Sequence, residues 1–327
     1  MAYLTKREKE ILTYLKKDPT ISQEELAKKL KITRSAAAVH ISNLMRKGFI
    51  LGRGYILDER SEVLIAGKSW LEISAQVKDS TIDLSCGGIG FLLAVELAKQ
   101  QLTPTLFTVL GNDDVGDHIY QQLQEKGVNV QHIIRSHSYS TPKRLIVRKG
   151  ASELYQITAI KVYNFSKDEK KKWEDLLHSA KVLLIDSSFE QLIEGLFEQI
   201  KEYDLFTSIV GASLNWSKEK GFTRLPQVFL VCDENELYSF AGGFQLGLPE
   251  TSFSVCQKIA DQGLAALVVI FPQQGVVLST KNETLFLPAS PLKGTGNVMS
   301  VVTGIAGGLA AGYGFRQATR RAMGKSL

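Results

Sequence analysis

The chain has 327 residues and 44% hydrophobic and 22% charged side chains, which is typical of a soluble globular protein with room for one large and one small domain. Its three cysteines, Cys86, Cys232 and Cys256, lie far apart without metal-type spacing, and its charged N-terminus has no signal-peptide pattern, so we expect a reduced, cytoplasmic setting. Residues 1–60 carry a net charge of +6 and residues 61–327 about −1. This basic head is either a polyanion-binding surface or a solvated face.

The first elements along the chain are three short helices. Thr5–Glu8 has capping-box spacing before an apolar helical pattern, and Ser22–Glu25 repeats that spacing before a second helix. Thr33 is placed to cap a third helix, which is predicted to stop at Gly48. The following stretch, FILGRGYILDE, has two short apolar runs around a Gly-Arg-Gly turn and predicts a β-hairpin.

Three helices with a tight link between the second and third, followed by a hairpin, resemble the winged helix-turn-helix domains of bacterial regulators over residues 3–58. The resemblance implies that the third helix reads double-stranded DNA at an operator. The candidate DNA-binding residues are Arg34, Ser35, His40 and Asn43 on that helix and Arg53 at the hairpin tip. His40 alone fits a phosphate contact or a packing residue better than base reading. An oligomerisation or docking domain is the alternative.

From residue 61 the pattern changes to continuous apolar strands that alternate with helices. Strands are predicted at 63–67, 104–111, 181–188, 206–213, 228–234, 266–272 and 275–280, and helices at 88–101, 116–127, 167–179 and 189–203. This pattern predicts an α/β fold whose mainly parallel sheet has helices on both faces, with ligands at the carboxyl ends of the strands. Segments near 73–85 and 141–158 predict a separate small β lid.

Four ordered segments resemble the ribokinase-type (PfkB) carbohydrate and nucleoside kinases, from residue 63 to about residue 322. They are SCGGIGFLLAVELAKQ (85–100), LGNDDVGDHIYQQLQEKGVN (110–129), CDENELYSFAG (232–242) and GTGN (294–297) before a helix of small residues. Residues 61–327 are therefore predicted to form a ribokinase-like domain. The resemblance implies binding of a sugar or nucleoside and, in an active kinase, ATP and Mg²⁺. Asp113 and Asp114 in the second segment are predicted to order a loop.

The departures from the family pattern bear on activity. Where the family has the aspartate that deprotonates the substrate hydroxyl, this chain has Asn297, and an amide cannot take up that proton. Losing a general base typically costs ~10²–10⁴ in rate. The acidic substrate position is matched by Glu72, its polar neighbour is the bulky Trp70, and the substrate-contacting asparagine falls at Leu92. Leu92 is interpreted as a core residue in preference to a pocket residue.

Other family positions are partly kept. The early glycine pair, Gly87 and Gly88, stands in the substrate region. The turn of Gly294, Thr295 and Gly296 precedes a helix, where exposed N–H groups bind anions, although close helix packing would also require such glycines. Asp233 and Glu236 match the motif associated with magnesium or form a plain helix cap. Ile270, Phe271 and Pro272 replace the T-x-G nucleotide turn, which leaves ATP binding in doubt.

An uncharged run at 298–315 has the GxxxG spacing of membrane helix dimers, with glycines at 304, 308 and 312. It has few large apolar residues and only the minimum length of a span. We interpret it as a buried helix of the kinase-like fold, and no membrane partner is expected.

Three functions remain open from the sequence. The first is a DNA-binding transcription regulator, expected to be a homodimer, whose kinase-like domain senses a sugar, nucleoside or phosphorylated derivative with phosphoryl transfer lost or weak. The second is an active carbohydrate or nucleoside kinase, for example of pseudouridine type, with the head as an autoregulatory domain. In that case Glu72 or another carboxylate near the cleft would replace Asn297 as the base. The third is a protein-docking scaffold. Enzyme activity is therefore undecided at this level.

Overall fold

The computed structural model describes residues 5–17, 21–46, 50–52, 56–57, 61–243, 249–289 and 296–324. The chain divides into two compact units, residues 1–60 and residues 61–327. Each unit has its own hydrophobic core.

The first unit contains three helices and a short hairpin. Its elements are α1 (Lys6–Lys17), α2 (Gln23–Leu30), α3 (Arg34–Arg46), β1 (Ile50–Gly52) and β2 (Ile56–Leu57). The predicted capping boxes form, since Glu8 N–H donates to Thr5 Oγ1 at 3.2 Å and Glu25 N–H donates to Ser22 Oγ at 3.2 Å. Thr33 Oγ1 accepts from the Ala36 N–H at 3.1 Å and caps α3. The sequence pattern and the local structure agree here.

The core of the first unit unites apolar side chains from all three helices. It contains Ile11, Leu15, Ile21, Leu26, Leu30, Ile41 and Leu44. Helix α2 ends at Lys31, which has the left-handed backbone angle φ of 53°, and only three residues separate α2 from α3. Such a tight link is characteristic of a helix-turn-helix.

The second unit is an α/β structure. Its strands are β3 (Ser61–Ala66), β4 (Trp70–Gln76), β5 (Thr81–Gly87), β6 (Thr105–Phe107), β7 (Val109–Gly111), β8 (Ile134–Ser136), β9 (Lys143–Lys149), β10 (Ser152–Ala159), β11 (Ala180–Asp186), β12 (Phe206–Val210), β13 (Phe229–Asp233), β14 (Ala266–Phe271), β15 (Gly275–Ser279) and β16 (Thr284–Pro288). Its helices are α4 (Ile89–Lys99), α5 (Asp114–Glu125), α6 (Lys167–His178), α7 (Glu190–Ile193), α8 (Leu196–Tyr203), α9 (Leu214–Glu219), α10 (Glu234–Phe240), α11 (Phe253–Ala260), α12 (Val298–Ala310) and α13 (Phe315–Ala322), with 3₁₀ turns at Phe222–Arg224 and Pro249–Ser252.

The central sheet is built from two four-stranded parts. The first has the parallel order β12-β11-β3-β6, and the second has the order β13-β14-β15-β16, of which only β13 and β14 are parallel. A parallel bridge between Thr207 and Val228 links the two parts. Side chains of β3 alternate between two core clusters, with Val63 and Ile65 in one and Leu64 in the other. The sheet is therefore covered on both faces, as its continuous apolar strands predict.

The small separate sheet, here called the lid sheet, has the order β10-β9-β4-β5. Its register puts Leu84, Ile73, Leu145 and Ile157 in one row across the four strands, and Ile82, Ala75, Val147 and Tyr155 in the next. Directly paired residues share a face, so these two rows form one apolar face, here called the apolar lid face. The opposite face carries polar side chains, including Glu72, Ser74, Arg144 and Arg148.

One predicted helix is wrong in detail. Residues 189–203 form two helices, α7 and α8, because Glu194 is extended and Gly195 has φ of 83°. Glycine adopts this left-handed conformation without the steric cost that other residues would meet.

Helices α12 and α13 pack unusually closely. A Cβ placed on Gly304 would lie 2.6 Å from the Cα of Ala322, and one on Gly308 would lie 2.6 Å from the Cβ of Ala318. The repeated small residues therefore serve helix packing inside the second unit. In the part of the chain that the structure describes, no helix has both the length and the apolar character needed to cross a membrane.

The three thiols are free. Burial raises the pKa of Cys86, raises that of Cys232 strongly and raises that of Cys256 to about 11. All three thiols are therefore protonated at neutral pH, which makes them poor nucleophiles.

Candidate functional site

The end of β3 and the start of α4 are held together by a close backbone approach. The Gly90 N–H donates to the carbonyl oxygen of Lys68 at 2.9 Å, and a Cβ on Gly67 would lie 2.8 Å from the nitrogen of Gly90. Gly88, which precedes the helix, has φ of 97°. Only glycine fits these positions without displacement of the backbone. The early glycine motif thus fixes α4 at the carboxyl end of β3.

Trp70, Glu72 and Gly87 are brought together on the lid sheet. Trp70 pairs with Gly87 across β4 and β5, and a Cβ on Gly87 would lie 3.0 Å from the indole Nε1. Glu72 is two residues further along β4 and therefore on the same face.

The interpretation of Leu92 as a core residue is wrong, because its side chain on α4 is 47% exposed.

The lid sheet also places Arg144, which sequence reasoning missed, beside Glu72. The two residues are register partners on β4 and β9, and Arg144 Nη1 lies 3.9 Å from Glu72 Oε2. The guanidinium carbon is 5.9 Å from the ring centre of Trp70, and Nη2 donates to Gln156 Oε1 at 2.8 Å. Glu72 thus has a cation beside it. Only knowledge of strand pairing would have revealed this contact.

Two buried polar atoms at this place have no hydrogen-bond partner within the described residues. They are the indole Nε1 of Trp70 and Nε of Arg144. Both are N–H donors, so the polar side of the lid sheet can bind acceptor oxygens of a small molecule.

Asn297 is the N-cap of α12. Its Oδ1 accepts from the Ser300 N–H at 2.9 Å, and its own N–H donates to Ser300 Oγ at 3.0 Å. The amide is therefore used as a helix cap and has no proton-accepting function at neutral pH. No hydrogen bond or ion pair joins Glu72 to Asn297 among the residues that the structure describes.

Of the anion-binding turn, only Gly296 is within the described residues. It has φ of 75°, and a Cβ there would lie 2.5 Å from Ser300 Oγ. The predicted anion contacts of Gly294 and Thr295 lie outside the described residues. A left-handed residue before the helix start is consistent with an anion-binding turn, and it is also what the tight cap requires.

Asp233 is the last residue of β13, Glu236 lies on α10, and both carboxylates accept from local N–H groups. Asp233 Oδ1 accepts from the Glu236 N–H at 2.9 Å, and Glu236 Oε1 accepts from the Leu214 N–H at 2.8 Å. No cluster of three metal-ligating side chains occurs in the described segments. Magnesium bound with a nucleotide usually needs only one or two carboxylates besides phosphate and water. The second oxygens of Asp233 and Glu236 fit that role.

The place of the nucleotide turn is filled by core residues. Ile270 is the register partner of Asp233 on β14 and, like Phe271, is buried. Pro272 follows without a backbone N–H. The T-x-G turn of the family has a threonine hydroxyl and a flexible glycine at this place. Both residues are absent from this sequence.

Asp113 anchors the base of the lid sheet to the core. It accepts from the Gly116 N–H at 2.8 Å, from the Thr141 N–H at 2.8 Å and from the Thr141 hydroxyl at 2.6 Å. Burial alone would raise the pKa of Asp113, but these hydrogen bonds outweigh it and lower the pKa below its ordinary value. Its structural role agrees with the prediction of a loop-ordering residue.

The candidate DNA interface is the exposed side of α3. Arg34 and Ser35 at its N-terminus are exposed, as are Val39 and Ser42 on the same side, with Val39 59% exposed. Val39 and Ser42 were missed because an alternation of small and apolar residues does not reveal which side of a helix faces solvent. A short polar and apolar surface of this kind can read base edges and thymine methyl groups.

His40 does not fit base reading. At about 100° per residue it lies about 140° around the helix from Ser35, beside the buried positions of α3. Its side chain is half-buried, and its Nδ1 is buried without a partner in the described residues. Asn43 is also half-buried, at the margin of the exposed side. Arg53 of the predicted hairpin tip lies outside the described residues.

The comparisons with known families agree with this geometry. The family described as pfkB family carbohydrate kinase matches residues 64–324, and the winged helix-turn-helix DNA-binding family matches residues 4–50. The chain belongs to the pfkB carbohydrate kinase family and carries an N-terminal winged helix-turn-helix DNA-binding domain. Kinases of this family in general use ATP and Mg²⁺.

The chain is also similar to individual proteins. It is 28% identical to the uncharacterized sugar kinase YeiI of Escherichia coli K12, over 98% of this chain and 92% of that protein. Arabidopsis thaliana ribokinase, solved with ribose and ATP, has a TM-score of 0.64 at 16% identity, covering 80% of this chain and 89% of the other. Anopheles gambiae adenosine kinase has a TM-score of 0.63 at 17% identity, covering 81% and 93%. These structures establish the ribokinase-like fold.

Proposed function

We propose that this chain is a DNA-binding transcription regulator whose kinase-fold unit senses a sugar, a nucleoside or a phosphorylated derivative, with phosphoryl transfer lost or weak. The observation that carries the proposal is the use of Asn297 as a helix cap at the base position of an otherwise intact kinase fold. The ion pair between Glu72 and Arg144 supports it, because a carboxylate beside a guanidinium is less available to accept from substrate hydroxyls.

A ligand can control such a protein only through differential binding to two of its states. The anchor between Asp113 and Thr141 would let a ligand on the lid sheet act on the core, since both residues hold the lid base. Ligand affinity and DNA affinity would then be coupled by the same factor in both directions.

An active kinase for a sugar or nucleoside is the second candidate. Asp233 and Glu236 favour it, because both carboxylates keep an oxygen suited to magnesium. A screen for thermal stabilisation by sugars, nucleosides and Mg-ATP, with ADP release measured for each, separates the two. Stabilisation without ADP supports the sensor, and a ligand at ~100 times its Kd adds about 2.7 kcal/mol. ADP release at ~1–100 s⁻¹ would refute the sensor.

DNA binding is tested by replacing Arg34, which is exposed at the start of α3. Sequences that the full chain selects from a pool of random 30-base-pair duplexes serve as the probe, with the pool length chosen at about three helical turns. Arg34→Ala is expected to weaken binding about 10- to 100-fold and to reduce the salt dependence by about one counterion, since one phosphate or base contact is lost.

Arg7→Ala is the matched control, because Arg7 is an exposed arginine in the same unit that pairs with Glu10 at 2.6 Å on α1. It is expected to leave the affinity within about twofold, the scale of a lost surface ion pair. Equal losses in both variants would mean that the net charge of the unit, and not α3, binds DNA. Failure of the chain to select any sequence would refute the regulator.

The homodimer is proposed to form through the apolar lid face. Its edge residues are strongly exposed, with Ile82 71%, Leu84 65%, Tyr155 57% and Ile157 50% exposed. An exposed apolar sheet face of this extent marks an interaction site. A second copy is the occupant we infer, because a winged helix-turn-helix commonly reads paired half-sites.

Light scattering of the full chain is expected to give the mass of a dimer, and Leu84→Lys, on the edge strand β5 of the apolar lid face, is expected to give a monomer. Val162→Lys is the control, since Val162 is 81% exposed outside the lid strands and should leave the dimer intact. A monomeric natural chain, or a dimer that survives Leu84→Lys, would contradict this interface.

A further inference from the structure

The carboxyl ends of β3, β6 and β11 enclose a cavity of about 300 Å³. Ligands of open α/β folds bind at this edge, and a cavity of this size is at the lower end of ligand pockets. None of Trp70, Glu72, Gly87, Gly88 or Asn297 lines it. The cavity was not predicted from the sequence, because its lining comes from five separate segments of the second unit.

Two hydroxyl groups in its lining have no hydrogen-bond partner within the described residues, those of Ser69 and Thr108. Both residues are fully buried, at 0% exposure. Both residues follow the paired ends of neighbouring strands, since Ala66 on β3 and Phe107 on β6 are register partners. Buried hydroxyls are nearly always paired, so two unpaired ones in the lining of one cavity indicate a place where a ligand supplies the partners.

The rest of the wall is largely aromatic. Tyr139 and Tyr163 meet edge to face at 5.3 Å between ring centres, as do Tyr163 and Phe165 at 5.3 Å, and Phe165 meets Phe189 at 5.7 Å. All four rings line the cavity. Gln191 accepts from the Phe165 N–H at 3.2 Å and donates to the Tyr163 carbonyl at 3.1 Å, which holds this wall in place.

The lining also holds two lysines, one carboxylate and two uncharged polar side chains, namely Lys68, Lys161, Glu190, Ser188 and Gln191. Lys68 and Lys161 line the cavity, and neither has an ion pair in the described parts of the chain. Ammonium groups favour ligand oxygens, while a hydroxyl can donate to an oxygen and accept from an N–H. The cavity therefore combines four aromatic rings with hydrogen-bond donors and acceptors from several segments.

This combination selects a flat ring with a polar edge. A free sugar carries hydroxyl groups around its whole rim and has no flat π face to set against the four aromatic rings. A nucleobase has two apolar faces and carbonyl and N–H groups at its edge. We propose that the cavity binds the base of a nucleoside, with the hydroxyls of Ser69 and Thr108 on its polar edge. This rests on the proposed function only in that the second unit binds a small molecule.

Calorimetric titration of the full chain tests the ligand class. The probes are uridine, cytidine, adenosine and guanosine, with ribose as the compound that lacks a base. At least one nucleoside is expected to bind ten times more tightly than ribose or better, since the base supplies the added burial and hydrogen bonds. Ribose affinity equal to that of every nucleoside, or no binding of any nucleoside, would overturn the inference.

Ser69→Ala and Thr108→Val test the site itself, with the best-binding nucleoside as probe. Each variant is expected to bind it about five- to tenfold more weakly, because one hydrogen bond is lost. The ligand-free variants are expected to have a melting temperature equal to or above that of the natural chain, because removal of an unpaired buried hydroxyl leaves no partner unsatisfied.

Thr319→Val is the matched control. Thr319 on α13 is also fully buried with an unpaired hydroxyl, and it does not line the cavity. It should leave nucleoside affinity unchanged. Unchanged affinity of the Ser69 and Thr108 variants together with a lower ligand-free melting temperature would mean that the hydroxyls hold only structural water, which overturns the proposal. Sequence-selective DNA binding is measured separately, so failure of the nucleoside proposal would not contradict the proposed regulator function.

Discussion

Asn297→Asp is expected to raise ADP release by about 10²–10⁴-fold over the natural chain, assayed with Mg-ATP and each of ribose and the four nucleosides. The substitution restores a proton acceptor where the kinase family has one. Aspartate caps a helix as well as asparagine does, so the fold of α12 should be retained. The natural chain is expected to release ADP far below the ~1–100 s⁻¹ of typical kinases.

Asn297→Ser is the control for this experiment. Serine also caps helices, so it keeps the Ser300 N–H bonded, but it supplies no base. Its rate should equal that of the natural chain. If Asn297→Asp is no faster than Asn297→Ser, the missing base is not what limits turnover, and the altered nucleotide turn at residues 270–272 becomes the explanation.

Gly308→Leu is expected to destabilise the second unit by about 3 kcal/mol, because a side chain at this position collides with the backbone of α13. A Cβ there would lie 2.9 Å from the Cα of Ala318, which cannot move without separating the two helices. The melting temperature should fall by roughly 6–12 °C. Denaturant unfolding followed by circular dichroism measures the change.

Two further variants make this prediction specific. Gly308→Ala should cost less than Gly308→Leu, and adding Ala318→Gly should recover part of the loss, since it removes the methyl group that the new Cβ meets at 2.6 Å. Gly314→Ser is the control, because a Cβ at Gly314 meets no atom within 4 Å and serine is a good N-cap for α13. Full stability of Gly308→Leu would refute the close packing of α12 on α13.

Local features of the sequence predicted most of the fold. Capping residues located α1 to α3, and continuous apolar runs located the strands of the central sheet, because both signals depend on neighbours in the chain. The split of residues 189–203 into α7 and α8 was not predicted, because the apolar pattern continues through Gly195 whereas the helical backbone is interrupted there.

The candidate site was less predictable because it depends on partners distant in sequence. Arg144 meets Glu72 only through the pairing of β4 with β9, and Ser69 and Thr108 line one cavity because β3 pairs with β6. The exposed side of α3 was not predictable for a related reason, since the side of this helix that faces its own core is decided by α1 and α2.

The capping bonds of Asn297 have a consequence for how such a protein can arise. Codons for aspartate and asparagine differ by a single base, and both side chains cap α12 equally well. A kinase gene could therefore acquire this residue in one mutational step without passing through a poorly folded product. Selection for catalysis and selection for a stable fold are separable at this position, so a gene already joined to a DNA-binding segment could lose turnover and keep a folded, ligand-binding protein.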